Sequence, residues 1–269
     1  MRSPASVRIW RLALAGFLIG CGSSTETPPA SQPSPATIRK VSGDQQAAIA
    51  SMAVAANPTV EVLDSAGRPV AGVTVSFNVI DGDGWVATTA QVTDAAGRAS
   101  ASWYLGPAAP DAQELEAGSG TLVTRFTATS QRPVPGSLLT GLNSYIEWIP
   151  GELPLVLSAP HGGTLLPTDI PDRTSGTTTR DLNTEELARE VADQFLARYG
   201  KRPHLIICRL SRRKLDANRE IVEAAAGNPD AERAWREYHG FIEAAAAEVR
   251  RLPGIGFYSL RSFPLILAR

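Results

Sequence analysis

Residues 60–79, VEVLDSAGRPVAGVTVSFNV, decide how the first half of this chain folds. Val60-Glu61-Val62-Leu63 alternates in polarity, as does Val73-Thr74-Val75-Ser76-Phe77-Asn78-Val79. A period of two turns one face of each run toward a core and the other toward solvent. Between them lies Asp64-Ser65-Ala66-Gly67-Arg68-Pro69, whose Asp, Gly and Pro favour a reversal. The stretch predicts two short strands separated by a turn.

The same grammar extends outward. Asp81-Gly82-Asp83-Gly84 is a second turn, followed by a strand at Gln91-Val92-Thr93 and a third turn, Asp94-Ala95-Ala96-Gly97. Ala99 to Leu105 and Val123 to Ala128 read as further strands. Strands every 8–12 residues or so, with Gly and Asp at the corners, predict a small all-β sandwich. Asp64, Asp81, Asp83 and Asp94 are calcium ligands on one reading. On the simpler one they are turn residues whose carboxylates bond their own backbone. The segment quoted above and residues 92–106, VTDAAGRASASWYLG, resemble the bacterial immunoglobulin-like (Ig-like) repeat of the invasin/intimin kind, Big-1. Both Asp-x-x-Gly corners fall at that family's spacing. The resemblance implies an Ig-like domain over residues 38–130, serving as a spacer or as an adhesive module with a surface partner.

Upstream, residues 1–20 carry arginines at 2, 8 and 11 and then the apolar run Leu12 to Ile19. That run is too short to span a bilayer and suits a signal peptide. Its end, Leu18-Ile19-Gly20-Cys21, resembles the lipobox of bacterial lipoproteins, which implies cleavage before Cys21 and lipidation of that residue. Residues 21–37 follow as a disordered tether, since Gly22 to Pro35 holds almost no bulky apolar side chain. The expected location is the bacterial cell envelope, lipid-anchored at the outer membrane or the periplasmic face.

The whole chain has 269 residues, 43% hydrophobic and 20% charged, with a net charge of −1. This length suits one or two domains. The charge balance gives no electrostatic reason to expect nucleic acid as a partner. Of the two cysteines, Cys21 lies in the export segment and Cys208 follows Leu205-Ile206-Ile207, so Cys208 reads as a small buried hydrophobe. No Cys-x-x-Cys spacing offers a structural zinc site.

Beyond a linker at 131–140, the pattern becomes strand, loop, helix over residues 141–269. Leu153 to Leu157 and Leu205 to Cys208 read as buried strands. Thr184 to Tyr199 and Ala231 to Arg251 carry apolar residues every three or four positions and read as amphipathic helices. Alternating strands and helices predict an α/β domain with a mostly parallel sheet, whose ligand site lies beyond the carboxyl ends of the strands. The fold expected for the whole chain is therefore two domains: an all-β Ig-like sandwich, then an incomplete α/β domain.

Two polar clusters fall on that rim. SAPHGG, residues 158–163, places one of only three histidines, His161, after the first strand. SRRKLDANR, residues 211–219, follows the second. An imidazole and a carboxylate on fixed loops can hold Zn²⁺ with a position left open for water. Asp181 is the best second ligand and Glu186 a weaker one, although Asp181 is equally placed to cap the following helix. Asn218 and Arg219 can clamp a substrate carboxylate, and Arg212 can stabilise an oxyanion. His161 as a plain loop residue, and the Arg-Arg-Lys run as a solvated turn, are the competing readings. His204 and His239 read as structural.

SAPHGG, IPDR at 170–173, RDLNTEELA at 180–188, RRKLDANREI at 212–221 and AWREYHGFI at 234–242 together resemble the N-formylglutamate amidohydrolase family. That family is related in fold to zinc carboxypeptidases and aspartoacylases. The resemblance implies that His161 is a zinc ligand, that Asp181 is an acidic residue at the metal site and that Arg212 belongs to the substrate-binding arginine cluster; Arg212 as a catalytic residue rests on the oxyanion role above. The resemblance also implies that Asp216, Asn218 and Arg219 bind or support an N-acyl amino acid with a free carboxylate. It stops near Leu252. The family's next strand, ending in Asp-Leu-His-Gly and completing the metal site, has no counterpart here, so the domain is expected to be truncated and its activity impaired.

Overall fold

The computed structural model describes residues 33–252. The first part contains ten strands: β1 (Thr37–Ser42), β2 (Gln46–Ile49), β3 (Thr59–Leu63), β4 (Thr74–Asp81), β5 (Trp85–Val86), β6 (Ala90–Val92), β7 (Arg98–Ser100), β8 (Trp103–Tyr104), β9 (Asp111–Ser119) and β10 (Leu122–Gln131). One sheet has the order β1-β3-β7, a larger one β2-β10-β9-β4-β6, and β5 pairs with β8. All pairings are antiparallel except β2 with β10. The alternation read from sequence becomes a shared core. Val60 and Val62 of β3 and Ala99 of β7 meet Val75 and Phe77 of β4, Leu115 of β9 and Phe126 of β10. This β-rich architecture of several sheets is consistent with an Ig-like sandwich.

Two differences from the expected strands have physical causes. The run from Ala99 to Leu105 is not one strand. β7 pairs with β3, but the chain then crosses over so that β8 pairs with β5. β9 was not expected, because Gln113, Ala117 and Gly118 are weak β formers. Its buried positions nevertheless alternate at Gln113, Leu115 and Ala117.

The two Asp-x-x-Gly corners have the same construction. Asp64 Oδ1 accepts the Ala66 and Arg68 amides, both at 2.9 Å. Asp94 Oδ1 accepts those of Ala96 and Arg98 at 2.8 and 2.9 Å. The Arg68 amide is the main cause holding the Asp64 carboxyl below its ordinary value. Both aspartates thus act as turn residues. Gly97 has φ +71, and a side chain there would meet Val62 O at 2.7 Å.

The second part contains β11 (Leu139–Thr140), β12 (Ile146–Ile149), β13 (Val156–Ala159), α1 (Thr184–Tyr199), β14 (His204–Cys208), α2 (Ile221–Ala225) and α3 (Pro229–Arg250). The sheet order is β11-β12-β14-β13, and only β13 and β14 run parallel. The expectation of a mostly parallel sheet is therefore corrected to a mixed one. The cause is β12, whose apolar run is broken by Glu147 and so carries no plain strand signal. Glu147 is buried, and it is tolerated because Arg189 and Arg209 both pair with it.

Helices cover both faces of this sheet. Leu157, Ala159, Leu205 and Ile207 pack toward Ala192 of α1. Ile146, Trp148, Ile206 and Cys208 pack toward Phe241 and Ala245 of α3. Leu187, expected on the apolar face of α1, is 45% exposed, so the buried stripe is narrower than its pattern suggested. α3 begins cleanly because Asn228 Oδ1 accepts the Asp230 and Ala231 amides and Pro229 opens the first turn. No helix among the described residues is long and apolar enough to cross a membrane.

The two parts share a core. Ala50 and Ala109 of the sandwich belong to the cluster built around α3, with Ile49 and Met52 packed against it. Arg132, in the expected linker, donates from Nε to Glu248 Oε2 at 2.8 Å.

Candidate functional site

His161 leaves the carboxyl end of β13 in a loop that only glycines can complete. A side chain on Gly162 would sit 2.6 Å from Thr184 Oγ1, and one on Gly163 would sit 2.3 Å from the Arg209 backbone. The loop is thus pressed between the start of α1 and the end of β14. The Asp181 amide donates to His161 O at 3.2 Å, which ties the two candidate ligand segments together.

The imidazole lies between two carboxylates. Its Nε2 is 2.6 Å from Asp216 Oδ1, and its Nδ1 is 3.3 Å from Asp181 Oδ2. Arg212 connects the same two acids, donating to Asp216 Oδ2 from Nε at 2.9 Å and to Asp181 Oδ1 from Nη1 at 3.3 Å. Burial alone would push the Asp216 carboxyl up. The hydrogen bonds from His161 and Arg212 outweigh it and hold the group well below the ordinary carboxylate range. Ionised Asp216 is an acceptor only, so Nε2 carries a proton. Nδ1 is turned toward Asp181.

Those distances allow a test of whether zinc fits. A tetrahedral ion about 2.0–2.1 Å from each donor separates neighbouring donors by roughly 3.3–3.4 Å. The Nδ1–Oδ2 distance of 3.3 Å matches. Asp216 on the far nitrogen stands where an orienting carboxylate belongs. Two donors fit, but among the described residues no group of three His, Cys, Asp or Glu is gathered to hold a metal.

The remaining residues on the rim divide. Asp216, expected to support substrate, is completely buried and turned inward to His161 and Arg212. It is a positioning group with no face toward solvent. Asn218 and Arg219 are exposed, as a substrate clamp requires. Arg219 Nε lies 3.6 Å from Glu223 and 4.0 Å from Asp216. Glu186 is exposed on the first turn of α1, and the carboxylate beside His161 is Asp181. Asp181 does not cap α1: the cap position is Asn183, which makes no side-chain cap bond. In the Arg-Arg-Lys run only Arg212 reaches the cluster. Arg213 pairs with Asp172, and buried Lys214 donates to Ile170 O at 2.6 Å.

In the sequence, Arg173 stands out only as the last residue of Ile170-Pro171-Asp172-Arg173. Its side chain is 1% exposed, and Nη1 donates to Thr177 O and Arg212 O, both at 3.0 Å. It fixes the loop that carries Arg212. An arginine two residues after Pro171 in a polar loop is the available signal.

The other histidines are packing residues. Burial lowers His204 to about 4, and its Nδ1 accepts the Gly151 amide at 3.2 Å. His239 donates to Ala217 O at 3.0 Å and lies against Trp235. Burial pushes the Cys208 thiol up to about 12. Cys21 and the tail after Leu252 lie outside the described residues.

No family model and no curated protein matches this chain. Among solved structures, it is similar to the D00-D0 domain of intimin at 16% identity, with 37% of this chain and 48% of that chain covered and a TM-score of 0.27. The D0-D1 domain of intimin matches at 14% identity, covering 46% and 57%, with a TM-score of 0.28. Domains 4 and 5 of the S-layer protein SbsC match at 16%, covering 37% and 46%, with a TM-score of 0.29. The chain spans about half the length of the intimin chains it matches.

Proposed function

We propose that this chain is a lipid-tethered protein of the bacterial envelope whose Ig-like sandwich is the working part, as a spacer or an adhesive module. The single observation favouring this reading over catalysis is the self-satisfied state of the His161 cluster. Both ring nitrogens face carboxylates of the protein, and Arg212 answers both of those carboxylates. The α/β part then serves as a brace, since α3 shares its core with Ala50 and Ala109 of the sandwich. The lipobox at Cys21 and the polar tether after it support the anchoring half of the proposal.

A second reading keeps one specific observation in its favour. The His161–Asp181 spacing and the carboxylate behind the ring suit two of the ligands of a zinc amidohydrolase acting on N-acyl amino acids. Zinc, when bound, would polarise the amide carbonyl and activate water. His161 and Asp181 would hold it, and exposed Arg219 and Asn218 would meet the substrate carboxylate.

Metal analysis separates the two readings. Mature protein that takes up no zinc after reconstitution supports the surface-module reading. About one zinc per chain, lost in His161→Ala, with hydrolysis of N-formyl amino acids, overturns it. The anchor has its own test. Wild-type chain should incorporate labelled palmitate in a bacterial host and Cys21→Ser should not; unlabelled wild type would refute the tether.

A further inference from the structure

Glu237 lies in the middle of α3 at the seam between the sandwich and the α/β part, and it is 2% exposed. Its Oε1 accepts the Leu142 amide at 3.0 Å, whereas Oε2 has no hydrogen-bond partner. Gly141 leaves room for that oxygen, because a side chain there would come within 2.1 Å of Oε2. The groups facing it come from three directions. Tyr104 of β8 faces it from the sandwich, and its hydroxyl is raised first by burial and then by the Glu237 carboxylate. Arg233 and Asp230 lie one and two turns back on α3, paired with each other. Tyr145 and Asn143, just before β12, line the same small pocket. Nearby, Trp85 stacks on Tyr104 at 3.9 Å between centroids, and Arg236 of α3 lies over Trp85.

An acid placed this way has no full counter-charge of its own. Arg233 is engaged by Asp230 and acts on Glu237 only through space, and the groups that bond the carboxyl against its burial, the Leu142 amide and the Tyr104 hydroxyl, carry no charge. Neutral, the side chain fits the seam. Ionised, it is a buried charge that must draw in water or a cation.

We propose that Glu237 is a pH-sensitive latch that holds the sandwich against α3 when protonated and loosens the seam when ionised. Burial raises the Glu237 carboxyl from 4.5 to about 7, so the change falls in the neutral range. For an acid raised on folding, the contribution to stability is complete below the unfolded value. It is lost as pH rises through the folded one. The seam is thus tightest below about pH 4.5 and weakest above pH 8 or so.

Two measurements on the full chain test this. The first follows the Glu237 side-chain carboxyl carbon of wild type by NMR titration. A midpoint near neutrality supports the latch, and one in the ordinary glutamate range overturns it. The second places a thiol in the seam with Ser51→Cys and compares its alkylation rate with and without Glu237→Gln. The ratio of the two rates at matched pH removes the thiol's own titration. A ratio that rises severalfold between about pH 5.5 and about pH 8.5 is expected. A ratio constant across that range means Glu237 does not govern the seam.

Discussion

Asp216 Oδ1 lies 2.6 Å from His161 Nε2, and Asp216 has no exposed surface. A fully buried carboxylate that orients a rim histidine links the stability of the fold to the geometry of the site. Asp216→Asn removes the charge that His161, Arg212 and, at 3.9 Å, Arg173 all face. Leaving buried cations without their partner costs on the order of 3 kcal/mol. Urea denaturation near pH 7 should register a loss of that size, and a loss below about 1 kcal/mol would mean the cluster is solvated.

The same residue predicts an acid limb. A carboxyl depressed on folding contributes stability above its unfolded value, and that contribution is lost as pH falls toward the folded one. For Asp216 the loss starts near 3.8 and continues below it. The stability gap between wild type and Asp216→Asn should stay flat from pH 7 to about 5 and close only at lower pH. A gap that closes between pH 7 and 5 would place the titration on some other group.

The two corner glycines separate backbone strain from crowding. Gly67 and Gly97 have φ of +74 and +71, but a side chain on Gly67 meets nothing within 4 Å, whereas one on Gly97 meets Val62 O at 2.7 Å. Gly67→Ala should cost about 1–2 kcal/mol, the usual penalty for a left-handed alanine. Gly97→Ala should cost clearly more, because β3 must also move. Equal losses on thermal melting would show that the β3 backbone yields freely.

Local patterns were legible in the sequence where one physical rule acted alone. Leu187, Val191 and Phe195 set the span of α1, although burial of Leu187 did not follow. The apolar run places the start of β14 at Leu205, one residue late, because His204 fits the fully buried strand only by accepting the Gly151 amide on its ring. What stayed hidden depends on partners distant in sequence. Glu147 reads as a break in an apolar run until Arg189 and Arg209 are brought to it, and without β12 the sheet looks parallel. At the site, the meeting of His161, Asp181 and Arg212 could be read from motifs. The inward turn of Asp216 could not, because its neighbours Leu215 and Ala217 carry no periodic signal.

Cys208 should be inert in the folded chain. It is fully buried on β14, and burial holds its thiol near 12, so almost no thiolate exists at neutral pH. In a Cys21→Ser background, a thiol reagent should label nothing at pH 7.5 until denaturant is added. It should then label one site per chain. Labelling without denaturant would show that β14 opens to solvent.

The last prediction tests the seam by locking it. A side chain on Gly240 of α3 would bring its Cβ 3.3 Å from that of Ser51, just under the usual disulfide separation of about 3.5–4.5 Å. Ser51→Cys with Gly240→Cys should therefore oxidise to an intrachain bridge after a shift of a few tenths of an ångström. Closing a loop this long stabilises by up to about 5 kcal/mol in the chain-entropy description. A raised melting temperature and faster migration on a non-reducing gel are expected. Glu237 still passes from burial to solvent when the bridged chain unfolds, so the neutral-range pH dependence of stability should survive in it. If the folded chain does not oxidise to the bridge, Ser51 and Gly240 do not face each other across the seam as described.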